Sequence, residues 1–128
     1  MPVVLKGAEE IAAIGRSGSL VEQVHERLTR EIRPGVTTAD LDQIGYEMIA
    51  AAGAIPSFLN HRGFPASICT SVNEQLLHGI PGNRQLQDGD IISIDVGVYL
   101  DGFHADSART HPVGEVSDDA RTLIAVTE

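Results

Sequence analysis

Two carboxylates, Asp95 and Asp106, lie in the stretch IISIDVGVYLDGFHADSARTH, either side of the dipeptide Asp101-Gly102. Asp-Gly between two apolar-alternating runs is typical of a two-residue hairpin turn. Pairing Leu100 with Phe103 then places Val98 opposite Ala105, Gly97 opposite Asp106 and Asp95 opposite Ala108. Side chains alternate faces along a strand. Ile92, Ile94, Val96, Val98 and Leu100 therefore share one face with Phe103 and Ala105. Ser93, Asp95, Gly97 and Tyr99 share the other with His104, Asp106 and Ala108. In this register the two acids are diagonal neighbours, at a Cα separation of about 7–8 Å. Paired divalent ions in hydrolases lie about 3.5–4 Å apart, which suits such a pair. The plainer alternative is a solvated strand face on which acids are harmless. Two features favour chemistry: Asp is a poor strand former, and Gly97 opposite Asp106 leaves room for a ligand.

Other reactive side chains are few. His78 stands in LLHGIPG, between apolar residues and turn formers. It is either a satisfied structural histidine or a hydrogen-bonding group at a site. Cys69, the one cysteine, reads on physics alone as a small buried hydrophobe. Asp88 and Asp90 flank Gly89 in a turn that launches the first hairpin strand, with no chemistry of their own.

The hairpin needs a cover for its apolar face. Ala8 to Arg33 reads as a helix with Ile11, Ile14, Gly18, Val21, Val24, Leu28 and Ile32 on one stripe, stopped at Pro34-Gly35. His25 lies beside that stripe and reads as ordinary surface. Thr37 or Thr38 caps a second helix, with Asp40 and Asp42 near its positive end. Leu41, Ile44, Met48, Ile49 and Ala52 line its buried side, and Gly53 terminates it. Ser67–Val72 alternates as a strand. Ser117 caps a last helix, where Asp118 and Asp119 complement the dipole. The predicted fold class is α+β: two helices on an antiparallel sheet, with the carboxylate face left open.

Length and charge set the class. At 128 residues the chain makes a single domain. A net charge of −9 argues against the clustered basic surface that nucleic-acid binding needs and suits a protein that binds cations. A lone cysteine forms no internal disulfide, which points to a reducing cytoplasm. No run approaches the roughly 18 apolar residues of a membrane span.

The segments SICTSVNEQLLHGIPG and DGDIISIDVGVYLDGFHADSAR closely resemble the type I methionine aminopeptidases. The matching block runs from Gly63 to Arg109. Its combination of N-E-x-x-x-H-G-I-P, I-D-V and D-G-F-H-x-D is specific, and related proline-cleaving peptidases lack the H-G-I-P segment in this form. The resemblance implies a pita-bread fold of two similar halves around two divalent metal ions, cobalt, manganese, iron or zinc. It implies removal of the initiator methionine from nascent chains at the ribosome. Carried over by position, Asp95 and Asp106 fall on metal ligands, with Asp106 bridging both ions. His78 falls on a substrate-contacting histidine that steadies the tetrahedral intermediate, and Cys69 and Phe64 fall in the pocket for the methionine side chain. His61 replaces a usual tyrosine. The family's remaining ligands, a histidine and two glutamates, have no counterpart in these 128 residues. The chain is therefore expected to be an N-terminal half carrying part of an active site, completed by a complementary C-terminal half if the protein is split. The alternative is a non-catalytic half-fold that binds peptide or a partner protein.

Overall fold

The hairpin turn forms as its dipeptide requires. Asp101 has φ +51° and Gly102 φ +86°, the paired left-handed conformation whose twist matches that of the flanking strands. The register is the one counted from the sequence, with Leu100 opposite Phe103, Gly97 opposite Asp106 and Asp95 opposite Ala108. The computed structural model describes residues 1–128. Its elements are α1 (Ala8–Glu31), α2 (Thr38–Ala51), β1 (Ile55–Pro56), a 3₁₀ turn (His61–Gly63), β2 (Ile68–Val72), β3 (Ile91–Leu100), β4 (Phe103–Pro112) and α3 (Asp118–Thr127).

β3 is the centre of the sheet. β4 pairs along one side of it, while β2 and the two residues of β1 pair along the other, all antiparallel. Ile92, Ile94, Val96 and Val98 are fully buried and pack with Val24 and Leu28 of α1 and Leu41 and Ile49 of α2. The helices cover the apolar face, as its composition demands. Each of these aliphatic side chains contributes about 1.5–3 kcal/mol by leaving water.

The helix boundaries follow local chemistry. Thr37 caps α2 by accepting from the Asp40 amide at 3.1 Å, and the Asp40 carboxylate accepts from the Thr37 amide in return. Gly53 ends the helix at φ +73°, and Ser117 caps α3 by accepting from the Ala120 amide. α1 stops at Glu31 rather than Arg33, because a residue preceding proline resists the helical region.

The stripe of α1 is rotated from the expected one. Its buried residues are Ala13, Ser17, Leu20, Val21, Val24, His25 and Leu28, and Ile11 is exposed. In α2, Ala52 is likewise exposed. His25 is not surface. It is fully buried, on the same helical face as Val21 and Leu28, and its Nε2 lies 2.9 Å from the Ser107 carbonyl of β4. A carbonyl only accepts, so Nε2 carries the proton. An ion pair between Glu22 and Arg109 and a hydrogen bond from Ser17 Oγ to the Phe103 carbonyl also fasten α1 to β4.

Candidate metal centre

Asp95 lies at the middle of β3, with Cys69 of β2 opposite it on one side and Ala108 of β4 on the other. Asp106 is its diagonal neighbour across the hairpin. The side chain of Asp95 is half-buried while Asp106 is exposed. Burial pushes the Asp95 carboxyl above its usual range, the charge of Asp106 pushes it further, and His78 acts in the opposite direction. A carboxylate penalised by burial and by a like charge is one that a cation would relieve. The donors are hard oxygens, suited to divalent ions. The pair therefore fits a metal, as part of a ligand set: no three His, Cys, Asp or Glu side chains are grouped to hold one.

His78 is positioned by the glycine that follows it. Gly79 is wedged against β2, where a Cβ would stand 1.9 Å from the Thr70 carbonyl oxygen. Its amide donates to Ser71 Oγ at 3.1 Å, and its carbonyl accepts from the Thr70 amide at 2.9 Å. Further on, the Gly82 amide donates to Thr38 Oγ1 at 2.9 Å, and that hydroxyl donates to the Gly82 carbonyl. The segment between is fixed at both ends, and His78 sits exposed above it at φ +56°.

The carboxylate face is not open. Residues 57–65 cross it as a partial roof, and the space expected over Gly97 is filled. A Cβ on Gly97 would come within 2.8 Å of the Phe58 ring. The Ser57 amide donates to the Gly97 carbonyl at 3.0 Å, and Ser57 Oγ lies 2.9 Å from His104 Nδ1. Gly97 is thus there to admit protein, not ligand. Sequence reasoning missed Phe58 because nothing within residues 53–65 signals that they fold back over the sheet.

Phe58 packs edge-on to Phe64, with ring centroids 6.5 Å apart. With Cys69, His78, Ile80 and Asp95 they line a cleft of about 550 Å³, to which His61 also contributes. The structure thus brings together every site residue expected from the sequence except Asp106, which adjoins the cleft through Asp95. Burial, followed by the charges of Asp95 and Asp42, pushes the Cys69 thiol up to about 11. It is a neutral wall at pH 7, not a nucleophile. Asp42, read as a helix-dipole residue, instead accepts from the Ser67 and Ile68 amides and orients the start of β2. Asp88 and Asp90 accept from the backbone amides of Glu115 and Gln87, as turn residues do.

Residues 12–128 match the metallopeptidase family M24. The chain belongs to this family. Membership implies divalent metal ions, in keeping with the carboxylate pair. Methionine aminopeptidase 1 of Bacillus subtilis is 52% identical over 126 residues, which cover 98% of this chain and 51% of that protein. The methionine aminopeptidase of Clostridium perfringens is 48% identical over the same shares. The crystal structure of methionine aminopeptidase from Rickettsia prowazekii matches with a TM-score of 0.96 at 37% identity, again over 98% and 51%. Escherichia coli aminopeptidase P matches with 0.78 at 28% identity, over 91% of this chain and 26% of that one. The fold is therefore that of the α+β pita-bread aminopeptidases. The chain spans about half the length of the curated relatives it matches. No helix is long and apolar enough to cross a membrane.

Proposed function

We propose that this chain is the N-terminal half of a cytoplasmic methionyl aminopeptidase, which removes the initiator methionine from nascent polypeptides. The observation that carries the reading is a largely apolar cleft that ends at Asp95, the diagonal neighbour of Asp106, with His78 on its wall. Phe58, Phe64, Cys69 and Ile80 receive an unbranched apolar side chain and keep water from it. Asp95 and Asp106 would supply part of the ligand set for divalent metal ions. Ions of this kind polarise the scissile carbonyl and supply an activated water. His78 hydrogen-bonds the substrate at that carbonyl and steadies it as it becomes tetrahedral. The pinned Gly79 keeps the imidazole in place through the change.

The rest of the ligand set lies on the other half of the family fold, so the 128 residues by themselves are expected to release no appreciable methionine. The test joins this chain to the remaining half of the Bacillus subtilis relative and assays methionine release from Met-Ala-Ser with manganese or cobalt. The chimera should be active and Asp106→Asn in it inactive. A folded chimera without turnover would defeat the reading and favour a non-catalytic half-fold.

A further inference from the structure

The cleft has one arginine or lysine on its wall, Arg62. Of the nine cationic residues in the chain, six are engaged with carboxylates: Arg16, Arg27, Arg33, Arg84, Arg109 and Arg121. Arg62 is exposed and has no such partner, in a chain whose 18 acids outnumber its bases twofold. Its backbone is also unusual. Arg62 has φ +50° and ψ +34°, left-handed values that residues with a side chain seldom adopt. Asn60 and Gly63 beside it are left-handed too. The turn is over-determined by backbone bonds from the Asn60 amide to the Phe64 carbonyl, from the His61 amide to Phe58 and from the Phe64 amide to His61, at 2.9–3.0 Å. Strain held in place this way gathers at functional sites.

We propose that Arg62 reads the third residue of the peptide and favours a carboxylate there. The inference rests on the aminopeptidase reading and refines its substrate class. With the first side chain in the cleft and its carbonyl at the Asp95–Asp106 pair, the peptide must leave over the rim. In an extended peptide, residues one and three project to the same side. The third side chain therefore projects back toward the cleft, where Arg62 is the one arginine or lysine on the wall. A guanidinium engages a carboxylate through two parallel N–H donors, a geometry lysine does not offer. The preformed turn lowers the ordering cost of that contact.

The test measures kcat/KM of the chimera described above for Met-Ala-Asp-Ser and Met-Ala-Ser-Ser. An exposed pair of this type supports a preference of about threefold for the acidic peptide, weakened by salt. Arg62→Ala should abolish the preference, and Arg62→Lys should retain part of it. An amide spectrum shows that each variant is folded, and Arg62→Gln serves if the alanine variant is not. If the chimera cleaves both peptides equally well, or Arg62→Ala keeps the preference, the role of Arg62 is refuted and the aminopeptidase reading stands. If the folded chimera cleaves neither, the aminopeptidase reading fails and the role of Arg62 fails with it.

Discussion

Replacing Gly79 with alanine tests whether His78 is positioned by its neighbour's close approach to β2. The new Cβ would stand 1.9 Å from the Thr70 carbonyl oxygen and 2.7 Å from the carbonyl carbon. Both are backbone atoms of a strand paired to β3, so no side chain can swing aside. Restoring an ordinary contact of 3.4 Å requires a movement of 3.4 − 1.9 = 1.5 Å. That shift would take both the 3.1 Å bond to Ser71 Oγ and the 2.9 Å bond from the Thr70 amide beyond hydrogen-bonding reach. Two such bonds are worth about 1–3 kcal/mol together. Divided by a urea dependence of about 1–3 kcal/mol/M, the midpoint should fall by roughly 1 M. Gly82→Ala, where a Cβ meets nothing within 4 Å, is the matched control and should cost well under half as much. The readouts are urea denaturation and the imidazole shifts of His78. A Gly79→Ala midpoint within 0.2 M of wild type (about 0.4 kcal/mol), with the His78 signals unmoved, would refute the wedge.

Three further outcomes follow from the site and the core. Asp106→Asn should lower manganese affinity in calorimetry while His78→Ala leaves it intact, and equal losses would undo the division between ligand and substrate contact. Cys69, with its thiol pushed up to about 11, should resist iodoacetamide at pH 7.5 unless the chain unfolds; rapid labelling of the native chain would contradict its burial. His25 and His111 are both held below 6.5, first by burial, so the unfolded chain binds more protons near pH 6. Their contribution is full above about pH 6.5 and is lost as the pH falls below it. Asp95, with its raised carboxyl, works in the opposite sense. Urea midpoints should drop between pH 7.5 and 5.5, and less so in a His25→Gln, His111→Gln double variant. A flat profile in the wild type would show the histidines are not buried neutral.

The sequence by itself determined the hairpin. Asp101-Gly102 sets the turn, the turn sets the register, and the two-residue period then puts Asp95 and Asp106 on one face with no need of tertiary information. The cap at Ser117 and the stop at Gly53 were equally local, and the cap of the second helix was narrowed to Thr37 or Thr38, since each depends on a side chain or a φ within a few residues. Tertiary structure decided what long-range contact alone can decide. Counting by threes and fours allows several neighbouring stripes on α1, and packing on β3 and β4 chose the one that buries His25 and exposes Ile11. Residues 53–65 have no periodicity, so the two-residue β1, the roof over Gly97 and the left-handed turn at Arg62 arise only where the chain meets the finished sheet. The same holds for Gly79. Its need for glycine comes from a carbonyl nine residues away in sequence and 1.9 Å away in space, and local propensity has no term for such a contact.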